Sequence, residues 1–173
     1  MSITRKFISL ALLILALFCV GAAAQETKLE PLAENASLDR TRDWLVENIR
    51  KHASFKTRIN STSVSDVEFK GCSLSLTVVR KTAVAAQDLM GVRRRTQTVK
   101  NELAFDFGLV EPDGIRLSDY ILPEFQTITI SFRPTAGASD ALMREHDLIV
   151  RREAGEALRD GLAHARSLCT AGT

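Results

Sequence analysis

The chain has 173 residues, 45% hydrophobic and 25% charged, with 23 Lys and Arg against 21 Asp and Glu for a formal charge of +2. This is an ordinary globular composition, long enough for one domain with a real core and not comfortably for two. The near balance of charge excludes a nucleic-acid binder that depends on a strong basic excess, and no low-complexity tract or internal repeat breaks the sequence.

Residues 1–24 read as a secretory signal, in which Arg5-Lys6 supply the positive region, Phe7 to Val20 the apolar run, and Ala22-Ala23-Ala24 a small-residue cleavage site. The apolar run is about 14 residues, short for a bilayer span. Phe18 stands where lipid attachment at Cys19 needs a small residue, so Cys19 belongs to the leader. Cleavage leaves 149 residues and removes Arg5, Lys6 and no acid, which brings the net charge to zero. An exported protein, periplasmic or extracellular and without a transmembrane segment after signal removal, is expected.

Gln25–Ala36 reads as a flexible polar segment, and residues 37–170 as a single domain. From Ser37 the pattern turns helical, with Ser37 as cap, Asp39 in the first turn and Leu38, Leu45, Ile49 and Ala53 on one stripe beside Trp44 and Val46. Trp44 is expected to pack on a sheet. Arg50, Lys51 and His52 suit the helix C-terminus, and His52 is expected at the surface there.

Val64–Arg80 reads as one long strand. Val67 and Phe69 have opposite parity to Cys72, Leu74, Leu76 and Val78, so either a β-bulge at Lys70-Gly71 restores one apolar face or the strand centre is buried on both. Lys81–Arg95 reads as a loop carrying Arg93, Arg94 and Arg95. Between Arg80 and Lys100 six basic residues face Asp88 as the lone acid. Such a loop suits an anionic membrane surface, an acidic polymer or a partner protein, or it is a solvated hairpin tip.

Val99, Leu103, Phe105, Phe107 and Leu109 share one parity and predict a second strand pairing antiparallel with the first. Glu111-Pro-Asp-Gly114 has turn chemistry. Gln126–Arg133 is a third strand, broken at Pro134. Within Asp140–Arg152, Leu148 and Val150 predict a fourth strand, with a helix capped by Ser139 as the alternative. From Glu153 a helix carries Ala154, Leu158, Leu162, Ala165 and Cys169 on one stripe. Gly155 and Gly161 weaken that helix unless they permit close packing.

Export places Cys72 and Cys169 in an oxidising compartment, where two cysteines usually pair. The alternative, one reactive thiol, lacks a neighbouring base or any local feature that lowers a thiol pKa. The three histidines are scattered, the cysteines do not cluster, and neither a glycine-rich phosphate loop nor a nucleophile elbow is present. The sequence therefore names no catalytic, metal or cofactor residue.

Thr41-x-x-Trp44-Leu45-x-x-x-Ile49, Phe69-x-Gly71-Cys72-x-Leu74 and the closing Ala157-Leu158, His164-Ala165 and Leu168-Cys169 resemble a set of small exported bacterial proteins to which no function is attached. The resemblance implies a helix–sheet–helix order, agrees with the cysteine pairing and carries over no site residue. The expected architecture is a single α+β domain: a helix, an antiparallel sheet of three or four strands, and a closing helix, both helices on one sheet face. The expected function is a non-catalytic interaction or structural module of the periplasm or cell envelope. Its contact surface is then the open sheet face or the Lys81–Arg95 loop, and its partner an envelope protein. The alternatives are a binder of an anionic membrane or polymer through that loop, and an enzyme with no recognisable motif.

Overall fold

The computed structural model describes residues 28–56, 60–88, 91–133 and 145–171, without the side chains of 85–88 and 91–94. The signal-like leader with Cys19 and the Pro134–Ser139 break lie outside the described residues. The elements run α1 (Leu38–His52), β1 (Phe55–Lys56), β2 (Asn60–Lys70), β3 (Ser73–Asp88), β4 (Gly91–Asp106), β5 (Val110–Asp119), β6 (Phe125–Phe132), β7 (Glu145–Arg151) and α2 (Arg152–Thr170). The helices begin where capping and periodicity place them. Ser37 accepts from the Arg40 amide, and all five residues of the predicted α2 stripe are buried.

The strands form two antiparallel sheets, β1-β2-β3-β4 and β5-β6-β7, rather than the single sheet expected. The chain passes from one to the other through Phe107-Gly108-Leu109, where the Arg133 amide donates to the Leu109 carbonyl at 2.8 Å. The sheets share one core: Phe105 of β4 stacks on Phe132 of β6 with ring centroids 6.0 Å apart, and Phe55 of β1 meets Phe125 of β6 at 4.6 Å. Nor do both helices cover one sheet face. α1 lies mainly on β2 and α2 on β5, β6 and β7, and the two helices pack on each other. Their approach explains Gly161, where an added Cβ would come within 2.6 Å of the Trp44 ring. Trp44 thus packs on α2, and Gly155 likewise lets α2 close on Gln126 and Leu117.

The predicted Val64–Arg80 strand is a hairpin. Lys70 pairs with Ser73, so Gly71-Cys72 is a two-residue loop, and Gly71 has the positive φ, 56°, that primed hairpin turns need at their first loop position. Reversal of the chain reconciles the two parities, because Phe69 and Leu74 become cross-strand partners on one face. The bulge lies elsewhere: Ser65 pairs with Thr77 and Glu68 with Ser75, leaving Asp66 (φ 51°) and Val67 opposite Leu76. Glu111-Pro-Asp-Gly114 is likewise an irregularity inside β5, between Val110↔Phe132 and Ile115↔Ile130. The predicted strand at Leu148–Val150 is β7, paired to β6.

Cys72 therefore sits in a turn rather than within regular strand, and that turn is held from three sides. Cys72 is disulfide-bonded to Cys169 of α2 with a Cα–Cα distance of 5.7 Å. Arg42 of α1 donates Nε and Nη2 to the Gly71 carbonyl at 3.1 and 2.6 Å while its guanidinium lies over the Phe69 ring. The Phe107 amide donates to the Cys72 carbonyl at 2.9 Å. Helix arginines also serve the two strand irregularities: Arg50 reaches the Val67 carbonyl at 2.8 Å and Arg166 the Val110 carbonyl at 3.1 Å. Carbonyls that a bulge removes from the ladder need such partners.

Candidate functional site

Two features stand out on this frame, a cleft at the C-terminal end of α1 and the outer half of the β3–β4 hairpin. The cleft forms because α1 ends where α2 begins. Trp44, Asn48 and His52 recur at intervals of four and so share one helix face. That face meets Phe55, Phe125, Arg151 and Glu153 around a cavity of about 730 Å³. The segment before α1 closes one side: the Leu29 amide donates to the Glu153 carbonyl at 3.2 Å, and Lys28 pairs with Glu156 at 2.9 Å.

His52 is 7% exposed, not the surface residue expected from its place at a helix end. Neither ring nitrogen finds a hydrogen-bond partner in the protein. The nearest is Oε1 of Glu153, 3.9 Å from Nδ1, with Arg151 Nη1 also 3.9 Å from that oxygen. Burial pushes the His52 pKa below the ordinary imidazole value of 6.5; Glu153 opposes the shift, and Lys51 and Arg151 add to it. The imidazole is therefore neutral at neutral pH, one nitrogen donating and the other accepting.

The lowered pKa has a stability consequence. The unfolded chain takes up the His52 proton at a higher pH than the folded one, so this group's contribution is complete above pH 6.5 and declines as pH falls toward the folded value. His146 works in the same sense, lowered by burial with Asp147 opposing. Melting temperature is expected to fall between about pH 7 and about pH 5, and less steeply in His52→Leu. An unchanged slope in that variant would assign the acid sensitivity to other groups.

The second feature corrects the Lys81–Arg95 loop, which is strand throughout its described length. β3 and β4 pair continuously from Ser73↔Asp106 to Asp88↔Gly91. β2 leaves this ladder at Asn60↔Thr82, so among the described residues Ala83–Asp88 and Gly91–Thr96 pair only with each other. The backbone is regular strand where the mixed, arginine-rich composition reads as a loop. Arg93 pairs with Ala86, Arg94 with Ala85 and Arg95 with Val84. Lys81, Arg95 and Lys100 are exposed, and Val99, on the apolar parity of the predicted second strand, is 43% exposed. The side chains of Arg93 and Arg94 lie outside the described residues.

The other histidines are structural. His146 stands edge-on to Phe105 and Phe132 at 5.2 and 5.3 Å, and His164 Nε2 is 2.9 Å from the Ala36 carbonyl oxygen. Among the described residues no group of three or more His, Cys, Asp or Glu is placed to hold a metal ion, and no helix is long and apolar enough to cross a membrane. Comparison of the chain with protein-family models, curated proteins and solved structures finds no match.

Proposed function

We propose that the protein is an exported, non-catalytic interaction module of the periplasm or cell envelope, and that the β3–β4 ribbon is its contact element for a protein partner bearing acidic groups. The observation that carries this reading is a ladder that, among the described residues, runs on past β2 in the segment that carries Arg93, Arg94 and Arg95 against the single acid Asp88. A two-stranded ribbon is marginal by itself, and it gains most from a partner lying against it. Unpaired strand edges and basic side chains together favour an acidic surface by hydrogen bonding and by steering. The Cys72–Cys169 bond supports an oxidising compartment, in keeping with the signal-like leader.

The test is co-purification from the envelope fraction with wild type and with the Arg93→Glu, Arg94→Glu, Arg95→Glu triple variant. Each cation near an anionic surface contributes about 1 kcal/mol, so the variant is expected to lose a salt-sensitive partner with about a hundredfold weaker binding, its melting temperature unchanged. Retention on phosphatidylglycerol vesicles instead would assign the ribbon to lipid. An identical partner set for both proteins would remove the ribbon from function altogether.

A further inference from the structure

We infer that the cleft between the end of α1 and the start of α2 binds a neutral polyhydroxylated ring, a saccharide unit, with one ligand hydroxyl seated between His52 and Glu153. The inference rests on the cleft and is independent of the ribbon.

The cavity, about 730 Å³, has the size of a small-molecule site. Trp44, Phe55 and Phe125 are among the residues that line it, the two phenylalanine rings 4.6 Å apart, and aromatic faces suit the apolar C–H side of a sugar ring. Its polar groups call for a ligand that both donates and accepts. The gap from His52 Nδ1 to Glu153 Oε1, 3.9 Å, is too long for a direct hydrogen bond; both ring nitrogens are closed to solvent, so a ligand hydroxyl enters as the two side chains part and then bridges them at about 2.8 Å from each. That hydroxyl donates to the carboxylate and accepts from an imidazole N–H, or donates to one nitrogen while accepting from another neighbour.

Charge selects against the alternatives. Four cationic and four anionic side chains line the cleft, which leaves no net charge to attract an ion. A carboxylate or phosphate at the His52 position would face Glu153, and an ammonium group would face Arg151 and Lys51. A hydroxyl meets neither repulsion. His52 itself points the same way: a neutral imidazole, buried with both nitrogens unpartnered by protein, is unfavourable in the folded chain and is relieved when a ligand supplies the missing bonds.

The test titrates the full exported chain, 15N-labelled at histidine, with glucose, N-acetylglucosamine and maltose, reading the side-chain nitrogens of His52. A saturable shift of His52 at millimolar sugar, insensitive to salt and about tenfold weaker in Glu153→Ala, is expected. His52→Leu is expected to melt at a higher temperature than wild type while losing the sugar-induced protection of neighbouring amides, the pattern of a residue retained for binding at a cost to folding. Glu153→Ala covers the case in which His52→Leu fails to fold. The inference is overturned by the absence of any saturable shift at tens of millimolar sugar, or by shifts that appear only with acetate, phosphate or methylammonium.

Discussion

Reduction of the Cys72–Cys169 bond, or the Cys72→Ser, Cys169→Ser double substitution, is expected to lower stability by about 4 kcal/mol and the melting temperature by about 10 °C. The bridge closes a loop of 97 positions, for which the chain-entropy estimate is between about 4 and 5 kcal/mol. The native state gives little of this back. Cys169 is 8% exposed on the buried stripe of α2, and the Cys72 turn keeps its bonds to Arg42 and Phe107 after reduction. The reduced protein is therefore expected to fold, with its hairpin less firmly tied to α2. Calorimetry with and without reductant measures the difference, and a change below about 2 °C would show that the bridge constrains little.

Phe105→Ala is expected to cost about 3 to 5 kcal/mol. Phe105 is 1% exposed and stands on β4 with its ring against Phe132 of β6 and His146 of β7. Truncation removes a large apolar group from the point where the sheets meet, and neighbours held in two sheets cannot easily collapse into the space. Two readouts separate this from an ordinary core cavity. Unfolding is expected to remain a single transition at lower denaturant, because the sheets share a core. The His146 pKa is expected to rise toward 6.5 as water reaches its ring, since burial is the larger cause of its lowering. Two separate transitions, or a His146 titration unmoved by the substitution, would contradict a common core.

Much of the helical structure was legible, and the sheet was legible only in part. Ser37 and the stripes through Leu45 and Ile49 and through Leu158 and Leu162 report a period of 3.6 that no other structure satisfies. The cysteine pairing was legible because Cys169 falls on such a stripe and the signal-like leader implies an oxidising compartment. Strand parity, by contrast, reports which residues share a face and not which strand lies beside them. Phe69 and Leu74 therefore looked like a phase error in one strand, when a Gly-Cys loop, lacking the Asn-Gly or Asp-Gly signature, folds them into register. Nothing local tells Ile128 and Ile130 that they belong to a second sheet. The same limit hid His52. A histidine in the last turn of a helix reads as solvent-exposed, and only the return of α2, bringing Glu153 and Arg151 across its end, buries it. Lys81–Arg95 was misread for a different reason: a ribbon that, among the described residues, pairs with no third strand beyond Thr82 carries a loop's composition on a strand's backbone.

The ribbon is the part of the molecule on which the proposed function turns, and native-state amide exchange with an acidic probe, polyaspartate, tests it most directly. Without the probe, amides of Ala83–Asp88 and Gly91–Thr96 are expected to exchange faster than those of Ser73–Arg80, which pair on both edges. With it, the ribbon amides are expected to slow while those of β6 and α2 stay unchanged, an effect abolished by Arg93→Glu, Arg94→Glu, Arg95→Glu. Slowing centred on another surface, or ribbon exchange indifferent to the probe at low salt, would contradict the ribbon's role as the contact element.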